Sequence, residues 1–226
     1  MGISLATVGA LEKRPVRRTE LSAIAGLIGL AERIAALAMF VVLLPVIAIV
    51  AAATAILSGR SPFIALARAG HRGKRIWLIK VRTMWGADDR SGDGGLVIER
   101  IENAAVPPSK AENDPRVTSA FAAFCRRYSI DELPQLWHVI RGEMALVGPR
   151  PLTYDELVAY YGYDAAEVLS VRPGLTGLWQ VKGRSRLTYA ERLTYDLYLV
   201  RHWSLRLYFF VLAATVPAVL SGRDAS

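Results

Sequence analysis

From Ile34 to Leu57 the chain runs for 24 residues without a charged side chain, and Pro45 stands at the middle of that run. An uncharged stretch of this length reads as a helix long enough to cross a bilayer. Pro45 removes one backbone donor and crowds the preceding turn, so the helix is expected to bend there. A signal peptide fits poorly, because its apolar region would be shorter and closer to the N-terminus, although Ala51–Ala53 loosely resembles a cleavage site.

Basic residues bracket the run. Lys13, Arg14, Arg17, Arg18 and Arg33 precede it, and Arg60, Arg68, Arg72, Lys74 and Arg75 follow it. Two basic flanks give a simple crossing no preferred direction. A helix that enters the cytoplasmic leaflet, bends at Pro45 and leaves on the same side accommodates both observations. An ordinary kinked span is the competing reading.

The chain has 226 residues and a formal net charge of +8, which taken alone suggests nucleic acid. Residues 1–82 hold twelve basic and three acidic side chains, however, and residues 83–226 hold sixteen and seventeen. The excess therefore belongs to the apolar helix, and anionic headgroups rather than nucleic acid are its expected partner. At 53% hydrophobic residues a disordered chain is disfavoured. The single cysteine, Cys125, excludes an intrachain disulfide. His71, His138 and His202 have no ligand-like neighbour at i+3 or i+4, which disfavours a Cys/His metal site.

Four regions follow. Residues 1–31 read as a basic tail and 32–60 as the membrane helix. Residues 61–204 read as the main domain, and 205–226 as an apolar helix and tail. Leu207–Leu220 is uncharged but only 14 residues long and carries Pro217, which suits a helix in the membrane interface; a buried core helix is the alternative. Within the main domain, Phe63–Arg68 and Arg75–Arg82 are expected to pair as a hairpin across Ala69–Gly73. Residues 86–115, with Ser91-Gly-Asp-Gly-Gly95 and Pro107-Pro108, read as a long loop. There is no internal repeat, no Walker loop and no dinucleotide fingerprint.

The densest chemistry begins after residue 116. A short helix is expected to end near Arg126 and Arg127. Pro134 is tolerated only in a first helical turn, which puts the next helix start near Asp131, with Leu133, Leu136, Trp137 and Ile140 on one face. Gly142 is its expected stop. Asp131 and Glu132 then lie where free N–H groups and the helix dipole favour anions. Taken alone, the pair also reads as a helix cap. Around it stand Gly148-Pro-Arg-Pro151, Arg172-Pro-Gly-Leu-Thr-Gly177 and Lys182-Gly-Arg-Ser-Arg186. Rigid Pro/Gly turns that present arginines suit phosphate, because a planar guanidinium holds two phosphate oxygens at once.

Together these residues resemble the bacterial sugar transferase family, the monotopic phosphoglycosyl transferases. The matching pieces are Lys80-Val-Arg-Thr-Met84, Asn113-Asp-Pro-Arg-Val-Thr118, Ser129-Ile-Asp-Glu-Leu-Pro-Gln135, Gly142-Glu-Met, Val147-Gly-Pro-Arg-Pro151, Arg172-Pro-Gly-Leu-Thr-Gly-Leu-Trp-Gln-Val181 and Gly183-Arg184. They occur in the family's order between about residues 32 and 220. The ending Tyr198-Leu-Val-Arg-His-Trp-Ser204 is most similar to exopolysaccharide-initiating members that load galactose or glucose phosphate. Leu44 stands where the family often has serine before the proline, Val81 where phenylalanine is usual, His138 for a frequent asparagine and Ala145 for a common serine.

The resemblance implies an α+β, mainly helical fold. Its parts are a re-entrant helix-break-helix anchor broken at Leu44-Pro45, a small β-hairpin, a cytoplasmic catalytic domain and interfacial amphipathic helices. It implies transfer of a sugar 1-phosphate from a UDP-sugar to undecaprenyl phosphate at the bacterial inner membrane, with Mg2+ and release of UMP. Asp131 would be the nucleophile and Glu132 its catalytic neighbour, both holding the metal. Lys80, Arg82, Arg126, Arg150, Arg172 and Arg184, with Pro149 and Pro151 framing their turn, are the candidate phosphate and uridine contacts. A homo-oligomer is left open. A non-catalytic membrane scaffold is the alternative from another class.

Overall fold

The computed structural model describes residues 18–85, 94–101, 117, 119–183 and 186–222, with the backbone alone for 18–25. The described chain is mainly helical and carries two small sheets. Helix α1 spans Arg18–Ser58 as one element and continues through Leu44 and Pro45, where a break between two helices is expected from the sequence. It begins inside the stretch 1–31 that composition suggests is a tail. The reason is local: no proline interrupts 18–31, and Leu21, Ile24, Leu27 and Ile28 extend the three-to-four residue spacing of apolar positions.

One stripe of α1 is buried, including Glu32, Ala36, Ile47, Val50 and Thr54. Ala36, Phe40 and Leu43 pack with Leu136, Val139 and Met144. Val50 packs with Val81 and Cys125. Residues before and after Pro45 thus lie against the same body of protein. Burying each large apolar side chain contributes about 1.5–3 kcal/mol. The opposite face leaves Leu27, Ile34, Leu37, Val41, Val42 and Ile49 mostly exposed. Gly26–Ser58 is long and apolar enough to cross a bilayer by length and composition. An exposed apolar surface of this extent marks membrane association.

Strands β1 (Phe63–Ala69) and β2 (Arg75–Val81) form the expected antiparallel hairpin, in register Phe63 to Val81 and Ala69 to Arg75. Strand β3 (Ile98–Ile101) joins the free edge of β1 in parallel, giving the order β2–β1–β3. This corrects the reading of 86–115 as uninterrupted loop. Four residues are too few to show a period, and the strand exists because β1 offers it an unpaired edge. Residues 86–93 and 102–116 lie outside the described chain, as does most of the Asn113–Thr118 motif.

Helix α2 (Ala120–Arg127) is capped by Ser119, whose side chain accepts from the Ala122 N–H. A 3-10 turn, Ile130–Gln135, then leads into α3 (Leu136–Ile140), and Gly142 follows at φ 73°. The expected single helix from Asp131 therefore starts as a tighter turn. Its common face is also split, since Leu136 is buried while Trp137 is 43% exposed. Strand β4 (Ala145–Val147) pairs in parallel with β5 (Gly174–Thr176). Between them lie α4 (Tyr154–Glu156), a π-helical turn Leu157–Tyr161 and α5 (Ala165–Val168). After β5 come α6 (Leu178–Lys182), α7 (Tyr189–Arg201) and α8 (Leu205–Leu220).

Helix α8 buries Tyr208 and Val211 and exposes Phe209, Phe210 and Val216. Glu32 fastens it to α1: Oε1 accepts from the Tyr208 hydroxyl at 2.9 Å and from the Leu146 N–H at 2.9 Å. A carboxylate in the middle of an apolar stripe is satisfied by these two donors, so its burial does not leave an orphaned acceptor.

Candidate active site

The Asp131–Glu132 pair sits in the Ile130–Gln135 turn, immediately after Ser129, which is held in the left-handed region at φ 55°. A non-glycine residue in that region stores strain, and such strain concentrates at functional sites. Asp131 is buried and Glu132 partly so. Lys80 from the end of β2 places Nζ 2.6 Å from Glu132 Oε1, and Arg150 places Nη2 3.4 Å from the same oxygen. Three segments far apart in sequence converge on one carboxylate.

Arg150 rides on the turn after β4. Its position depends on the β4–β5 pair, where Gly148 N donates to Thr176 O and Gly174 N to Pro149 O. A β-carbon at Gly148 would lie 2.6 Å from the Arg172 carbonyl oxygen, and one at Gly174 would meet the backbone of Gly148 and Thr176. These motif glycines let two backbones touch. Pro149 and Pro151 are buried and hold the turn between them.

Burial works against the charge of Arg150, yet attraction by Glu132, Glu156 and Asp131 outweighs it and raises its pKa above the ordinary value. The guanidinium lies 5.9 Å from the Trp179 ring centre, and Arg192 of α7 lies 4.8 Å from the same ring. Behind them, fully buried Asp196 accepts from the Tyr161 hydroxyl at 2.9 Å. Burial pushes the Asp196 carboxyl up to about 7, against the pull of Tyr161, Arg150 and Arg192. Burial, with repulsion from Asp131, pushes the Cys125 thiol up to about 11, so it is not a nucleophile at neutral pH.

The other expected contacts divide. Arg82 is buried, donating to the Ser61 carbonyl at 2.9 Å and pairing with Glu99, which braces β2 against β3. Arg126 is partly exposed at the end of α2. Arg172 turns its guanidinium toward Gly29 of α1. Arg184 lies outside the described residues. His138 is buried. Its Nε2 accepts from the Ile79 N–H at 3.1 Å, which puts the ring proton on Nδ1, where it donates to Glu143 at 2.6 Å. It thereby ties α3 to the strand that carries Lys80.

Arg192, Asp196 and Tyr161 are surroundings that motif spacing does not single out, and Trp179 lies inside the Arg172–Val181 motif without being named there as a contact. A signal exists for two of them: Arg192 and Asp196 are four apart on one helix, the spacing of a helical ion pair. Among the described residues, no group of three or more His, Cys, Asp or Glu gathers as a metal cage. Mg2+ commonly takes one or two carboxylates and completes its shell with phosphate oxygens and water, so the adjacent pair fits that ion on donor chemistry.

The family model described as bacterial sugar transferase matches residues 27–222. The chain is 43% identical over 176 residues to the Exopolysaccharide production protein ExoY of Rhizobium meliloti, covering 74% of each. It is 46% identical over 117 residues to the Undecaprenyl-phosphate galactose phosphotransferase of Salmonella typhimurium, covering 52% of this chain and 24% of that protein. It is 34% identical over 169 residues to the UDP-glucose:undecaprenyl-phosphate glucose-1-phosphate transferase of Xanthomonas campestris, covering 70% and 31%. The match spans the Asp131–Glu132 turn, the Arg150 turn and most of the apolar helix. The chain is an enzyme of the bacterial sugar transferase family.

Proposed function

We propose that the chain transfers a sugar 1-phosphate, with galactose or glucose favoured, from a UDP-sugar to undecaprenyl phosphate. UMP is released, and the product begins an exopolysaccharide or other surface glycan. The observation that carries this is the convergence of Lys80 and Arg150 on the Asp131–Glu132 turn, which provides cations for a diphosphate beside a buried carboxylate. The names of the relatives support the acceptor and the transferred group.

A carboxylate oxygen of Asp131 attacks the β-phosphorus of the UDP-sugar. The bond from that phosphorus to the bridging oxygen breaks, and UMP departs with the electron pair, leaving an aspartyl phosphosugar. An oxygen of the lipid phosphate then attacks the same phosphorus and returns the carboxylate, giving the lipid diphosphate sugar. Two successive displacements make the kinetics ping-pong. Lys80 and Arg150 orient the diphosphate and offset the repulsion between it and the two carboxylates. Arg126 and Arg184 are assigned to further phosphate or uridine contacts. Asp131 and Glu132 would hold Mg2+, which would supply additional charge neutralisation when bound.

The reaction is assigned to the cytoplasmic leaflet of the bacterial inner membrane. Support comes from α1: its residues on both sides of Pro45 pack on one domain, as a re-entrant anchor requires. Purified protein with Mg2+, undecaprenyl phosphate and a panel of UDP-sugars is expected to release UMP with one or two of them. No release across the panel would favour the scaffold reading instead.

A further inference from the structure

Beside the N-terminal part of α1 opens a cavity of about 330 Å3, lined by Gly26, Gly29, Leu30, Arg33, Gly142 and Arg172. Two guanidinia reach it from distant parts of the chain. Among the described residues, neither has a hydrogen-bonded or ion-paired partner. Glycines make room for both: a β-carbon at Gly29 would lie 2.8 Å from Arg172 Nη2, and one at Gly142 would collide with the Arg33 guanidinium. Next to this cationic opening, Leu27, Leu30 and Ile34 present an exposed apolar surface.

We propose that this cavity holds the phosphodiester headgroup of an anionic membrane phospholipid, clamped between Arg33 and Arg172. Two guanidinia offer paired charge-assisted hydrogen bonds to one phosphate, and the apolar rim receives acyl chains. A soluble anion would have no use for that rim. The site is separate from the reacting phosphates. Lys80 and Arg150 are the cations on Glu132, and among the described residues neither Arg33 nor Arg172 pairs with Asp131 or Glu132. A lipid held here fixes the depth of α1 and uses Arg172, which the motif alone suggests is a substrate contact. The assignment rests on the reading of α1 as membrane-facing.

Native mass spectrometry of the full chain in detergent, titrated with dioleoyl phosphatidylglycerol, tests it. One tightly retained lipid is expected. Arg33→Gln and Arg172→Gln should each weaken retention about tenfold, the scale of one charge-assisted hydrogen bond. Arg33→Lys should weaken it less, and serves as the comparison if a glutamine variant fails to fold. Dioleoyl phosphatidylcholine should be retained poorly. Equal retention by folded glutamine variants, or equal retention of the two lipids, would overturn the site. One-for-one displacement by undecaprenyl phosphate would overturn the choice of lipid. Because binding is read by mass, an absence of UMP release in the same preparation would count against the proposed reaction alone.

Discussion

The Lys80 ammonium and the Glu132 carboxylate stand 2.6 Å apart, joining the end of the β-hairpin to the turn that carries Asp131. The turn is thus located by a strand 52 positions away, with Arg150 approaching the same oxygen from a third segment. Replacing Lys80 with methionine keeps the length of the side chain and removes its charge. Turnover is expected to fall on the order of 10–100-fold, with Lys80→Arg recovering part of it. Separate kcat and KM values measured by UMP release check this, and unchanged values would sink the assigned role.

Asp131→Asn removes the proposed nucleophile while keeping its size. UMP release is expected to drop by at least about a thousandfold, and labelled sugar should no longer stay on the protein after denaturing electrophoresis. Near-normal turnover would refute the covalent route.

His138 bridges Ile79 and Glu143 from inside the fold. His138→Ala leaves the Ile79 N–H without that acceptor, a cost of about 1–3 kcal/mol. A lower thermal midpoint is expected for the alanine variant, with a smaller loss for His138→Asn, whose amide retains both a donor and an acceptor. Equal midpoints for all three proteins would show that the bridge adds nothing.

Gly174→Ala places a methyl group against the backbone of Gly148 and Thr176. Backbone cannot move aside as a flexible side chain can, so a loss of about 3 kcal/mol or more is expected. Arg150 loses its platform with it. Thermal melting and UMP release should fall together; an active, normally melting variant contradicts this account of the motif.

The Asp196 carboxyl is raised by burial to about 7 from an ordinary 3.8. Between those values the folded state holds a proton that the unfolded chain has lost. Stability from this group is therefore full below about pH 4 and declines as pH rises to about 7, then levels off. Asp196→Asn keeps an acceptor for Tyr161 and cannot ionise. Its melting temperature relative to the wild type should climb between pH 5 and pH 7.5, and parallel curves would contradict the shift.

Several elements are legible from local pattern alone. Two apolar runs around Gly70 and Gly73 announce the hairpin, Gly142 announces the stop after α3, and α8 is marked by its uncharged run. The Asp131–Glu132 pair stands out because arginine-bearing turns surround it. Other features have no local signature. Strand β3 depends on an edge supplied by β1, and Glu32 depends on Leu146 and Tyr208, more than a hundred residues away. The direction of Arg172 depends on a glycine in α1. Each is decided by which distant surface is available, and composition within a window does not contain that information.

The buried stripe of α1 gives the membrane segment a second job, as one wall of the catalytic body. Leu136, Val139 and Met144 are closed off from water in part by Ala36, Phe40 and Leu43. Deleting residues up to Ser58 to obtain a water-soluble fragment would uncover that wall and strip Leu146 and Tyr208 of Glu32. The fragment should aggregate rather than work at reduced rate. In this enzyme the anchor is not a tether that can be exchanged for another; lipid residence and folding are conferred by the same helix.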